Sequence, residues 1–340
     1  MKIQQLNLGA EEFGVFHQVP EVLGLDRNSV PLDLERAQLS LGNPFFKHAE
    51  GYGFVCEKEG KLSGRVFASL DQNLHQHDGQ LVGHVGYFTC AEDTASAQAL
   101  LRAAEEWLKG KGVTHVHGPV NLNIFTGYRV QMSGFDTTPF PGEPRNPEYY
   151  GKLLEEAGYD VLTTWSSWDL PPDFVKSSAE YFKKSADQSP LPGLTIRKGD
   201  VSQLSTELQQ LYQPAMEAFA QNYGFSQISQ DEFLSAFIHL QPLMEAELFH
   251  ILSDDNGKIG GFIFGYKDAP TDHIRIIFHT VGLLEKWRAT PALYELAVPL
   301  WETAAATGLP VIGALAKEGK TTYDRLGLPS RTYSVFTRAL

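Results

Sequence analysis

Two histidine pairs, His75/His77 and His115/His117, are the first residues whose type and spacing suggest chemistry. A spacing of two on a strand puts both imidazoles on one face, as two ligands of a zinc ion would lie. Zinc takes three or four ligands, and no Asp, Glu or Cys set at suitable spacing adjoins either pair, so no metal is expected. His117-Gly118-Pro119 then reads as a strand end at the cleft between two domains. Gly257-Lys258-Ile259-Gly260-Gly261 lacks the Gly-x-x-x-x-Gly-Lys-Ser/Thr order of a phosphate loop and reads as part of a hairpin. No Gly-x-Ser-x-Gly elbow occurs, which leaves a serine hydrolase without support. Cys56 and Cys90, the 2 cysteines, lie in apolar strand-like runs without a Cys-x-x-Cys partner and read as buried, inert thiols. The aromatic set Tyr128, Phe135, Phe140, Tyr149 and Tyr150 either walls a substrate pocket or tethers a long loop.

The elements that position these residues follow from periodicity. A chain of 340 residues, 42% hydrophobic, is long enough for two ordinary cores. With 41 acidic against 28 basic residues it opposes a phosphate backbone, so nucleic acid is not an expected partner. The first residues lack the basic-then-apolar order of a secretory signal, and no apolar run reaches the roughly 18 to 20 residues that span a bilayer. A soluble cytoplasmic protein, monomer or homodimer, without a membrane partner is expected. Residues 1–45, interrupted by Pro20, Pro31 and Pro44, read as an entry segment. Residues 52–58 and 62–69 bracket Glu59-Gly60-Lys61 as a hairpin, and 81–90 form a third strand. Ala97, Leu100, Leu101, Ala104 and Leu108 recur at helical spacing, with Gly110 and Gly112 as the stop. A strand at 113–120, a loop rich in Gly, Pro, Asn and Thr at 121–145, a short helix at 149–157 and a strand at 159–170 follow.

The polar stretch from Pro171 to Gly193 ends in a linker, which divides the chain into domains 1–186 and 187–340. Beyond it come a strand at 194–198, helices at 204–219 and 230–237, and a hairpin of 248–253 with 258–266 across Asp255-Asn256-Gly257. A strand at 275–284, a helix at 291–307, a strand at 311–315, a short helix at 321–326 and a strand at 331–336 complete the chain. The tail of this order, from hairpin through long strand, long helix, strand and short helix with glycine to a last strand, occurs once in each half, as a duplicated domain requires.

Three local signatures in that order resemble the GNAT superfamily of acyl-CoA-dependent N-acyltransferases. Arg288-Ala289-Thr290-Pro291-Ala292-Leu293 follows Thr280-Val281-Gly282-Leu283-Leu284 where the family has Arg/Gln-x-x-Gly-x-Gly/Ala at a helix start. Tyr323-Asp324-Arg325-Leu326-Gly327-Leu328 resembles the family's Tyr-x-x-Leu-Gly-Phe, and Leu154-Glu155-Glu156-Ala157-Gly158-Tyr159 is a looser copy. The wider pattern, with Gly83-His84-Val85-Gly86-Tyr87-Phe88, Asn146-Pro147-Glu148-Tyr149-Tyr150 and Asn222-Tyr223-Gly224-Phe225, is similar to bacterial proteins with two GNAT-like domains. The resemblance implies an α/β (α+β) fold of two tandem GNAT-like domains, each a mixed, mainly antiparallel sheet flanked by helices.

It also implies a site. Such a fold holds the coenzyme A pyrophosphate on amides at a helix N-terminus. In the first half that helix follows Ala91-Glu92-Asp93-Thr94, two carboxylates and no glycine, so this copy is expected not to bind CoA. In the second half Lys286, Arg288, Ala289 and Thr290 are the expected pyrophosphate contacts, and the backbone of Gly282, Leu283 and Leu284 pairs with the pantetheine arm like an added strand. Tyr323 falls on the family's general-acid position, and His279 with Glu285 behind it is the candidate base. Pro291 and Leu293 stand where the family has glycine or alanine. Two readings follow. One is an N-acyltransferase moving an acetyl or related group from acetyl-CoA or another acyl-CoA to a small amine or amino-acid-like acceptor. The other is a GNAT-like protein without CoA that binds a metabolite, or performs different chemistry, at the domain interface.

Overall fold

The protein is described by a computed structural model covering residues 1–27, 30–74, 80–270, 273–319 and 322–340. His75, His77 and the first residue of the expected helix 321–326 lie outside the described residues. In chain order the elements are β1 (Lys2–Asn7), α1 (Gly14–Leu23), α2 (Leu32–Gln38), β2 (Ala49–Lys58), β3 (Lys61–Asp71), β4 (Val82–Cys90), α3 (Thr94–Gly110), β5 (His115–Gly118), β6 (Val130–Gln131), α4 (Tyr150–Glu156), β7 (Asp160–Leu170), α5 (Pro172–Gln188), β8 (Leu194–Lys198), α6 (Leu204–Phe219), α7 (Gln230–Phe237), β9 (Met244–Asp254), β10 (Ile259–Asp268), β11 (Arg275–Leu283), α8 (Glu285–Arg288), α9 (Ala292–Thr307), β12 (Val311–Lys317) and β13 (Arg331–Ala339). Among the described residues no helix is long and apolar enough to cross a membrane.

Internal contacts divide the chain into unit 1, residues 1–165, 224–232 and 331–340, and unit 2, residues 166–223 and 233–330. Unit 1 carries the strand order β1-β2-β3-β4-β5-β13, with β6 beside β13. Alternate residues of its central strands feed two cores. Phe54, Cys56, Val66 and Ala68 pack under α3 and α4, while Val55 and Phe67 pack with Phe13, Phe16 and Val19. α3 begins where Asp93 accepts the Ser96 N–H at 3.1 Å, a side-chain N-cap. The opening 45 residues are part of this unit and no mere lead-in: β1 pairs with β2, and Glu35 of α2 takes Arg65 of β3 in a bidentate pair at 2.7 and 2.8 Å. His17 lies 2.7 Å from the same carboxylate.

Residues 224–232 also dock in unit 1. Ser226 bridges to Leu74, and His48 stands between Asp71 at 2.9 Å and Glu232 at 3.0 Å. Hydrogen bonds that the His48 ring donates to these two acids raise its pKa to about 9, against the opposing effect of burial. Glu232 also closes a capping box at the start of α7, accepting the Ser229 N–H at 2.7 Å.

Unit 2 carries the order β12-β11-β10-β9-β8, with the end of β7 next to β12. One face packs under α5 and α9 through Phe182, Leu296, Leu300, Trp301, Ile263, Ile276 and Phe278. α6 covers the other, with the Phe219 and Phe262 rings 5.9 Å apart. The stretch after Pro171 is therefore a 17-residue helix and not a polar approach to a linker. Pro172 at its first position suits a helix start, and its apolar stripe of Val175, Ala179 and Phe182 stacks on α9. This packing is why the division falls at 165/166, where the sequence suggests 186/187. The last strand changes place as well. β13 lies beside β5 in unit 1, whereas simple duplication puts it at the end of the second copy.

Candidate active site

The strand β11 is held along one edge and released along the other. Leu284 N–H donates to Gly260 O at 3.0 Å, and the register continues Phe262–Gly282 and Phe264–Thr280. Antiparallel alternation therefore turns the backbone groups of Gly282 and Thr280 toward β10 as well. On the opposite edge β12 supplies three parallel rungs, Ile276–Val311, Ile277–Ile312 and Phe278–Gly313. Among the described residues no rung follows, so the backbone of Val281 and Leu283 faces an edge without a paired strand. Of the three residues expected to pair with a pantetheine arm, Leu283 thus faces outward, while Gly282 and Leu284 are committed to β10. Val281, which the sequence did not single out, faces outward with a side chain 48% exposed.

His279 and Tyr323 both stand beside the point where the strands part. At His279 the β10–β11 register slips by one residue, a bulge of the kind that re-aims a side chain. Its Nδ1 lies 2.7 Å from Thr280 Oγ1, and its ring stands 5.6 Å from Phe264 and 5.7 Å from Tyr266. Tyr323, on the 3-10 turn Thr322–Leu326, covers Gly313 so closely that a Cβ there would come within 2.6 Å of the ring. Gly313 forms the last rung, and Tyr323 packs against the Trp168 and Trp301 core. Phe278 turns to that core, its ring 4.8 Å from Trp301, and His279 turns to the other face. The two residues flank one fork from opposite faces of the sheet. Burial raises the phenol pKa of Tyr323, which keeps it protonated at neutral pH. Glu285 lies beyond the strand end, and the strand from His279 to Leu283 alone spans about 13 Å. The structure does not bring these two groups together.

The start of the second-half helix is more self-contained than its sequence suggests. Arg288 stays at the end of β11, its Nε donating to Leu283 O at 3.0 Å and its Nη2 to Ala218 O. Lys286 turns away to Asp254, 3.4 Å distant, and lies over the Trp287 ring. Thr290 N–H donates to Trp287 O, Ala292 N–H to Thr290 Oγ1, and Pro291 has no N–H. Ala289 is exposed. What this terminus offers an anion is chiefly the Arg288 charge and the dipole of the 16-residue helix α9.

Unit 1 repeats the strand pair and closes it. β4 and β5 share the rungs Val82–His115, Gly83–Val116 and His84–His117. Then Val120 N–H donates to Val85 O at 2.8 Å, and Asn121 Oδ1 accepts the Tyr87 N–H at 2.7 Å. A Cβ on Gly86 would come within 2.1 Å of Val120 O, so the chain's own loop fills the fork. Asp93, paired with Lys58 at 2.9 Å, occupies the helix start. Burial, with His84 as neighbour, pushes the His117 pKa down to about 3. Among the described residues no three His, Cys, Asp or Glu side chains gather as metal ligands. The aromatic set separates. Tyr150 and Phe140 are buried, Tyr149 Oη donates to Cys90 O at 3.0 Å, and Tyr128 meets Trp165. Tyr149 and Tyr150 stay together at the start of α4, their rings 5.3 Å apart.

No protein-family profile matches the chain. It is 31% identical over 237 residues to a bacterial ceramide synthase of Caulobacter vibrioides, covering 69% of this chain and 61% of that protein. It is 30% identical over 239 residues to protein YghO of Escherichia coli, covering 69% and 60%. The chain thus spans about 60% of the length of these curated relatives. Among solved structures, a tandem GNAT protein from the clavulanic acid biosynthesis pathway aligns with a TM-score of 0.54 and 12% identity, over 99% of this chain and 98% of that one. A GCN5-related N-acetyltransferase from Anabaena variabilis aligns with a TM-score of 0.56 and 13% identity, over 99% and 73%. At these identities the likeness is one of fold. Two units, each with a long strand that parts from a parallel neighbour after three rungs, give this chain a GNAT-like fold with two domains.

Proposed function

We propose that the chain is an N-acyltransferase that lays an acyl-CoA along the open edge of β11 and transfers its acyl group to an amine. The observation that carries this reading is the three-rung fork of unit 2, which leaves the backbone of Val281 and the N–H of Leu283 able to pair with an extended amide-bearing arm, while Leu283 O already accepts from Arg288. In this reading the amine adds to the thioester carbonyl and passes its proton to His279. The C–S bond then breaks, and the leaving thiolate takes the proton of Tyr323. An acid and a base on opposite faces of one sheet suit an acceptor and a donor that enter from opposite sides. The ceramide synthase relative favours a fatty acyl donor and a long-chain amine, since a ceramide is the amide of a fatty acid with a long-chain amino alcohol.

A second reading, a protein of this fold without CoA, is favoured by the helix start near Pro291, whose first amides are spent internally. One experiment separates the two. The purified chain is incubated with acetyl-CoA or palmitoyl-CoA and either a small amine or a long-chain amino alcohol, and free thiol is followed. Amine-dependent thiol release, largest for the long-chain pair, is expected. No release with any pair, together with no CoA binding by calorimetry, favours the second reading.

A further inference from the structure

Arg65, Arg129, Arg275 and Arg331 are all buried, and an arginine seldom is unless an acid accompanies it. Arg65 has Glu35. Arg275 has Asp268, at 2.8 and 2.6 Å, and Arg331 Nε lies 3.3 Å from Glu143 Oε1. Arg129 has no carboxylate among the described residues. Its N–H of the backbone donates to Pro119 O and its Nη2 to Tyr128 Oη, while the Tyr128 and Trp165 rings stand 3.7 and 4.3 Å from its guanidinium carbon. Its Nε is buried and donates to nothing.

The rings attract the charge but leave the in-plane Nε–H without an acceptor. The phenols of Tyr128 and Tyr333 are the titratable groups in its electrostatic surroundings. Glu143 is engaged elsewhere, by Tyr333 Oη, by Arg331 and by the Phe140 N–H. A buried cation with no counter-charge is costly to fold around. Backbone strain accompanies it, for Arg129 has a φ of 89°. Arg129 as a whole is 7% exposed.

We propose that Arg129 anchors an anion-binding site in unit 1 that takes the carboxylate or phosphate group of a small ligand on the in-plane donors of its guanidinium. Both groups offer the paired oxygens that match this fork. The site is independent of the acyl-transfer reading, which concerns unit 2.

Thermal melting at fixed ionic strength, with sodium chloride replaced stepwise by sodium acetate or by inorganic phosphate, tests it. The wild-type Tm is expected to rise by about 2 to 4 °C once the anion is well above its Kd. Arg129→Met, which removes the uncompensated charge, is expected to melt no lower than wild type in chloride and to show no anion-dependent rise. A rise with phosphate alone assigns a phosphoryl ligand, and a rise with acetate alone assigns a carboxylate. A flat wild-type response, or an equal rise in Arg129→Met, overturns the proposal. Should the methionine variant fail to fold, Arg129→Lys keeps the charge without the fork. Its anion midpoint is expected to move up at least about tenfold, and an unmoved midpoint overturns the proposal.

Discussion

Unit 1 and unit 2 start from the same strand pair and finish it differently. In each, three parallel rungs are followed by divergence. In unit 1 Val120 and Asn121 fold back into the gap, hydrogen-bond β4 and leave no free edge. In unit 2 β12 runs on as Ala314 to Lys317, and the outward groups of β11 stay without a paired strand. Openness is thus decided not by the fold but by the few residues that follow the second strand. The helix starts diverge in the same sense: Asp93 brings its own anion to α3, whereas the corresponding end of β11 holds Arg288.

If unit 1 is a scaffold and unit 2 the reacting part, damage to the first appears as lost stability and damage to the second as lost turnover. The largest effect is expected from Glu35→Gln, which strips the buried Arg65 of its counter-charge and costs about 3 to 5 kcal/mol of stability by denaturant unfolding. The same group gives a pH signature. Burial pushes the Glu35 pKa up, but hydrogen bonds from Arg65 and His17 outweigh it and hold the pKa at about 2, below its ordinary 4.5. A carboxyl lowered on folding stabilises fully above its unfolded value and loses that contribution as pH falls through the folded one. Melting temperature is therefore expected to fall between about pH 4.5 and 2, and to do so less steeply in Glu35→Gln.

Tyr323→Phe comes next: kcat is expected to drop about 100-fold, roughly 2.7 kcal/mol, with acyl-CoA affinity and Tm near wild type. Unchanged kcat in steady-state assays would leave Tyr323 a packing residue over Gly313. The smallest effect belongs to Val281→Pro. Proline deletes an outward N–H and spares the ladder to β10, so acyl-CoA binding by calorimetry is expected to weaken about tenfold with little loss of Tm.

Local periodicity carried much of the fold into view. The apolar spacing of α3, the turn at Gly257 with φ 73° and the alternating strands of unit 1 are short-range patterns read directly from residue order. The first 45 residues hid their role because prolines break the periodicity and because Glu35 meets an arginine 30 residues away. α5 looked like a linker because its polar face dominates its composition. The place of β13 was not legible, since an apolar alternating run is the same whichever sheet receives it. The site was partly readable. His279 and Tyr323 carry recognisable chemistry, yet which backbone groups of β11 face outward depends on a register that its neighbour sets. Arg129 gave no signal at all, because the absence of an acid beside it is a fact of three dimensions.

Amide hydrogen exchange with and without palmitoyl-CoA shows whether the outer edge of β11 receives a donor arm while the same edge of β4 does not. Slowed exchange at Val281 and Leu283 is expected on binding, with Val85, Tyr87 and Val120 unchanged. Exchange at Val281 and Leu283 that ignores a saturating donor would contradict a donor arm on β11.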